Sequence, residues 1–171
     1  MLQLLILFLI VVGTYGGLTL LNIAVPGVRL SHSLRGRISL AIFFVFTGIS
    51  HFMMPAAFAE MLPPAVPLRF EIIYLTGLAQ ILGAIGLLIP GLKRLATLGL
   101  ILFLVGVLPA NIYSAFNYVE FGSHEAGPIY LLARIPFQVF LIGWAYYFGL
   151  STLPRSKAIH LAQSGVEPAR S

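Results

Sequence analysis

The chain has 171 residues, of which 59% are hydrophobic and only 9% are charged. A water-soluble domain carries about 25% charged residues, so this chain has too little polar surface to cover a soluble globule and must face lipid. Its net charge of +5 does not mark a nucleic-acid binder, because the cations sit in short loops between apolar runs, where membrane topology signals belong.

About 20 apolar residues cross the hydrocarbon core as a helix. The first candidate span runs from Leu2 to about Val25 within an N-terminal segment 1–27. No charge precedes its core, and Arg29, Arg35 and Arg37 follow it. That order is the reverse of a secretory signal peptide, so the segment reads as a retained span. The second span is Ile38 to about Met54. Residues 55–69 are rich in Ala, Met and Pro, and Ala56 to Leu62 is either a short amphipathic helix along the interface or a plain connector. The third span is about Phe70 to Ile89, closed by Pro90 and Gly91, and the fourth is Leu95 to about Val119. A polar loop, 120–128, precedes the fifth. That span starts at Ile129 and runs to Leu150, or it starts near Ile135, because Pro136 fits a kink in the first case and a first helical turn in the second. Residues 151–171 form a polar tail. Gly77, Gly83, Gly86, Gly99 and Gly106 read as sites of close helix packing.

Arg29, Arg35, Arg37, Lys93, Arg94, Arg155, Lys157 and Arg170 fall on one side of these spans, and only Arg69 and Arg134 fall on the other. The positive-inside rule therefore puts the N-terminus outside and the C-terminal tail in the cytoplasm.

An ionisable side chain near the bilayer centre costs at least about 2.5 kcal/mol, so each one needs a reason. Cys and Asp are absent, which excludes disulfides and thiolate chemistry and leaves acid chemistry to five Glu. His51 ends span two, with Thr47 on the same helical face. Glu71 opens span three, Asn111 and Ser114 lie in the outer third of span four, and Arg134 and Gln138 are four apart in span five. Four helices thus place polar groups near one end. Pro109 leaves the Val105 carbonyl without its helical donor, which adds to the polarity there. The candidate ligand-binding residues are His51, Glu71, Asn111, Arg134 and Gln138. Each also has a structural reading: His51 as a helix-end histidine, Asn111 as packing, and Glu71 with Arg134 as an ion pair that only holds the bundle. Gln80 lies nine residues from Glu71, on nearly the opposite face, and reads as a helix–helix hydrogen bond. Trp144, Tyr146 and Tyr147 read as an aromatic belt. His124 and Glu125 lack further metal ligands nearby, so no metal site is expected, and His32 and His160 read as surface residues.

The stretch Thr47-Gly-Ile-Ser-His-Phe-Met-Met-Pro-Ala-Ala-Phe, then Met61-Leu-Pro-Pro, Tyr74 to Pro90, Leu108-Pro-Ala-Asn-Ile and Arg134-Ile-Pro-Phe-Gln together resemble the DoxX-like family of small membrane proteins. The resemblance covers residues 38–150. It implies an all-α polytopic fold: a four-helix transmembrane bundle, with the first span as an addition. The residues matching the family pattern are His51, Pro55, Glu71, Asn111, Arg134 and Gln138. Some DoxX-type proteins are subunits of, or accessories to, membrane oxidoreductases, including thiosulfate:quinone oxidoreductase, and animal relatives include NACHO-type receptor chaperones. A bacterial inner membrane is the location the resemblance implies.

Two functions follow as expectations. One is a pocket for a small lipophilic molecule, a quinone or a lipid, beneath Ala56 to Leu62, with His51 and Glu71 placed to exchange protons. The other is a scaffold or chaperone-like partner of another membrane protein. A lipid-modifying isomerase or hydrolase ranks below both, because no nucleophile elbow or metal-ligand cluster is present. The orientation makes a direct prediction: a reporter enzyme active only outside the cytoplasm, fused after Lys93, is silent, whereas strong activity there reverses the topology.

Overall fold

A computed structural model describes residues 2–151; Arg155, Lys157, His160 and Arg170, with the rest of the tail, lie outside the described residues. The helices are α1 (Leu2–Ala24), α2 (His32–Met53), α3 (Pro55–Glu60), α4 (Arg69–Leu88), α5 (Lys93–Gly106), α6 (Leu108–Phe116) and α7 (Leu131–Ala145). A 3-10 segment, His124–Tyr130, leads into α7, and a π-helical turn, Tyr146–Ser151, ends it. Five segments are long and apolar enough to cross a membrane: Leu2–Ala24, His32–Met53, Arg69–Leu88, Lys93–Phe116 and His124–Ser151.

The second span starts at His32, well before the expected Ile38. Ser31 caps α2, its hydroxyl accepting from the Leu34 N–H at 3.2 Å. The first two turns then carry Arg35 and Arg37, which keep their charges at the membrane edge. Hydropathy marks only the apolar part of the helix and misses this polar start. In the fifth span the earlier start holds: α7 begins at Leu131, and Pro136 lies inside it.

The helices α2, α4, α5 and α7 pack in a closed ring, each against the next, and α1 lies outside along the seam of α2 and α7. Leu4, Leu7 and Val11 recur at helical spacing and bury one face of α1 there. Leu40, Phe44, Leu87, Leu100, Leu104 and Leu141 fill the centre of the ring. Apolar side chains elsewhere face outward, as lipid requires: Leu95 and Leu102 are both 72% exposed.

The closest approach is between α2 and α4. A Cβ placed on Gly77 would lie 3.0 Å from the Gly48 carbonyl oxygen and 2.8 Å from His51 Cβ. On the opposite face of α4, Gly83 and Gly86 receive Leu100 and Ala96 of α5. Packing therefore explains these three glycines and Gly48. It does not explain Gly99 and Gly106, which face open space. The aromatic belt also needs correction. Tyr146 and Tyr147 are exposed, but Trp144 turns inward and donates its Nε1–H to the Gly36 carbonyl at 3.1 Å.

Gly77→Ala is expected to overpack the α2–α4 crossing by about 1–3 kcal/mol. That lowers the unfolding temperature in detergent by about 2–4 °C per kcal/mol. Gly99→Ala should leave it unchanged or slightly raised. Equal effects at the two positions would contradict the crossing.

Candidate functional site

The glycine crossing sets which side chains meet. Gly48 brings Thr47 and His51 of α2 against Gln80 of α4. Thr47 Oγ1 donates to Gln80 Oε1 at 2.6 Å, and Gln80 Nε2 lies 3.3 Å from His51 Nε2. His51 Nδ1 lies 2.8 Å from the Thr47 carbonyl oxygen. A carbonyl can only accept, so Nδ1 carries the proton and Nε2 is left to accept from Gln80. Both ring nitrogens of His51 are thus engaged, and the ring is 8% exposed. Phe58 of α3 stacks on it, with centroids 4.0 Å apart and planes at 17°. The short helix expected over Ala56 to Leu62 forms over Pro55–Glu60 and covers His51.

Phe58 also meets Phe121, at 4.8 Å between centroids, which joins this cluster to a second one across the end of the bundle. The second cluster arises where span four breaks. The chain leaves α5 at Val107, and Pro109 brings no N–H to the next turn. Two carbonyls at the break take side-chain donors. Asn111 Nδ2 donates to the Val107 oxygen at 2.8 Å, and Gln138 Nε2 of α7 donates to the Leu104 oxygen at 2.6 Å. The foreign donor reaches Leu104, one residue before the expected Val105. Ser114 is buried, and its hydroxyl donates to the Asn111 carbonyl at 3.1 Å.

His124 packs onto this break, 2% exposed, with its ring centroid 4.3 Å from that of Tyr130. Its Nδ1 lies 2.6 Å from the Phe121 carbonyl oxygen, and its Nε2 lies 3.4 Å from Asn111 Oδ1. The Phe121 carbonyl fixes the proton on Nδ1. The Val107 carbonyl fixes the orientation of the Asn111 amide. Nε2 therefore faces an acceptor, and a proton placed on it would complete a hydrogen bond. Arg134 of α7 lies within electrostatic reach of His124 and Tyr130.

Of the five residues singled out in the sequence, Asn111, Arg134 and Gln138 gather around the break in span four, and His51 lies across Phe58 and Phe121 from them. Glu71 does not join. It is exposed and forms no ion pair with Arg134. Glu71 lies six residues from the Gly77 crossing point, about 9 Å along the axis, whereas His51 lies three residues, about 4.5 Å, from Gly48. The two helices do not end at one depth, so Glu71 projects beyond the cluster.

Arg134 is left without the partner expected for it. Its Nε is buried with no hydrogen-bond acceptor, and Gln138 Oε1, four residues on, is buried with no donor. On a different face of α7, turned towards α1, Ala133, Pro136, Phe137 and Phe140 form an open apolar groove with Leu4, Leu5 and Phe8, about 400 Å³ in volume; Arg134 and Gln138 do not line it. Among the described residues no three of His, Asp and Glu gather as metal ligands.

The sequence leaves His124 in a loop and sets Gln80 on nearly the opposite face of its helix from Glu71. Gln80 was legible as a helix–helix hydrogen bond, and Thr47 is its partner. For His124 the sequence held no periodic signal, because a 3-10 segment broken at Gly127 (φ +69°, ψ −156°) folds it inward.

A family model described as a domain of unknown function (DUF8561) matches residues 40–149. No curated protein and no solved structure matches the chain. The matched stretch holds α2 from its third turn through α7, and with it His51, Gln80, Asn111, His124, Arg134 and Gln138. On that match, which covers more than half of its length, the chain belongs to the DUF8561 family.

Proposed function

We propose that the protein binds a small lipophilic molecule carrying an oxygen acceptor, a quinone carbonyl or a lipid head group, at the Arg134 end of the bundle. The observation that carries this reading is the pair of unmatched buried atoms on α7, the Arg134 Nε donor and the Gln138 Oε1 acceptor; an apolar groove between α1 and α7 lies on another face of the same helix. A buried cation without an acceptor is costly, and a ligand oxygen relieves that cost. A groove of about 400 Å³ falls in the range of small-molecule sites, which are mostly apolar with a few polar groups. In this reading the apolar part of the ligand lies against Phe8, Phe137 and Phe140, and its oxygen meets Arg134 once that side chain turns from the bundle interior towards the groove.

In this reading the proton-holding atom is His124 Nε2, which faces Asn111 Oδ1, rather than His51, whose nitrogens are both engaged. The DoxX resemblance supports a role as accessory to a quinone-linked membrane oxidoreductase. It also supports a bacterial inner membrane, with the loop charges placing the Arg134 end outside.

A second reading, a bundle that packs against another membrane protein, is favoured by a separate observation. Gly13 and Gly17 of α1, four apart, have nothing within 4 Å, and neither do Gly99, Gly106 and Gly143. Such open small-residue faces admit a neighbouring helix.

Mass spectrometry of small molecules retained in mild detergent separates the two. The wild-type chain is expected to retain a quinone or lipid, and Arg134→Gln combined with Gln138→Leu to lose it by about 10- to 100-fold, the worth of a hydrogen bond to a charged group. Equal retention, or no bound molecule with the same membrane protein captured by both, would replace the pocket with the partner-binding reading.

A further inference from the structure

The opposite end of the molecule holds two further cations without a counter-charge, Arg35 and Arg37, each with a buried Nε that has no acceptor; Arg37 turns away from α1 and donates its Nη1 to the Leu87 carbonyl at 2.9 Å. Arg35, in the second turn of α2, reaches across to α1. Its Nη1 donates to Thr19 Oγ1 at 2.8 Å, and its guanidinium carbon lies 5.7 Å from the centroid of the Tyr15 ring. Its Nε is buried and has no acceptor. Beside it, the Tyr15 hydroxyl and His32 Nδ1 are 2.5 Å apart. Thr19 Oγ1 donates to the Tyr15 carbonyl at 2.8 Å, so that hydroxyl accepts from Arg35 and is satisfied. When Tyr15 donates to His32 Nδ1, the remaining His32 nitrogen carries a proton and turns outward from the pair. His32 is exposed, as expected, and its ring is also tied to α1 through Tyr15. The seam between α1 and α2 presents Arg35 Nε, a buried donor without an acceptor, beside the exposed His32 ring, with Arg29 on the connection 25–31 that closes it.

No carboxylate among the described residues answers them. Glu60, Glu71, Glu120 and Glu125 all lie at the Arg134 end, beyond α2 or before α7. The seam lies where a helix enters the membrane, at the level of lipid phosphates, and clustered cations at that level attract anionic lipid. Their placement in the first turns of α2 also sets positive charge against the positive end of the helix dipole, an arrangement that an anion relieves.

We infer that the α1–α2 seam binds the phosphate of an anionic bilayer phospholipid, with Arg35 as its buried donor and Arg29 and His32 as outer ones. This site is separate from the groove at the Arg134 end, and it stands whether or not that groove takes a ligand.

The test is the unfolding temperature of the full chain in mild detergent, titrated separately with phosphatidylglycerol, phosphatidylcholine and inorganic phosphate. Phosphatidylglycerol should raise it by about 5 °C at saturation. The other two should not. Arg35→Gln should abolish the increment, and Lys93→Gln, which removes a charge at the same end away from the seam, should keep it. An equal rise with phosphatidylcholine, an equal rise with inorganic phosphate, or an undiminished rise in Arg35→Gln would each overturn the inference. Should Arg35→Gln fail to fold, the combined Arg29→Gln and His32→Gln variant decides, and full retention of the phosphatidylglycerol increment there overturns the site.

Discussion

The contact on which the bundle depends is the crossing of α2 and α4 at Gly48 and Gly77. Inside a bilayer no hydrophobic force drives helices together, so close backbone approach and the dispersion contacts it permits have to do so. The Gly48 carbonyl lies within 3.0 Å of where a Gly77 Cβ would be, which leaves room for no larger residue. That approach puts Thr47 and His51 against Gln80. It closes a hydrogen-bonded set in which no ring nitrogen is left over. The same helix uses its other face, Gly83 and Gly86, to receive α5. One helix with glycines on two faces therefore locks three members of the ring.

The second constraint is the bilayer's demand that every backbone polar group find a partner. Pro109 breaks the ladder of span four; Gln138 answers the break at the Leu104 carbonyl, and the Val107 carbonyl takes both the backbone and the side-chain N–H of Asn111. Satisfying the backbone has a consequence for the side chains. Gln138 spends its amide N–H on Leu104, and its oxygen is left buried and unmatched. Arg134, one turn away on the same helix, is left with a buried donor. Polar groups that hold the fold and polar groups left without a partner are thus neighbours on α7.

The five spans were legible because their signal is composition over about 20 residues, which tertiary structure does not override. Their ends were less so. Ser31 and the two arginines that follow extend α2 by a polar turn and a half that hydropathy does not register. The site was half legible. Asn111, Arg134 and Gln138 meet because they bracket a proline break that can be read in the chain. Glu71 was misplaced by the assumption that neighbouring spans end at one depth, which fails when the crossing point sits nearer the end of one helix than of the other. His124 was invisible because its inward turn depends on a positive-φ glycine, Gly127, and on the Asn111 side chain that meets it at the break in span four.

The central proposal is that the unmatched pair on α7 and the groove on another face of that helix serve one ligand. Photochemical labelling tests it most directly. A photoreactive quinone or phospholipid analogue would be crosslinked to the protein in bilayers, and the labelled residues located by peptide mass spectrometry. The account predicts label concentrated on Leu4, Leu5 and Phe8 of α1 and on Ala133 through Phe140 of α7. Label spread over the lipid-facing side chains of α4 and α5, such as Leu78, Leu95 and Leu102, in proportion to their exposure, would contradict it.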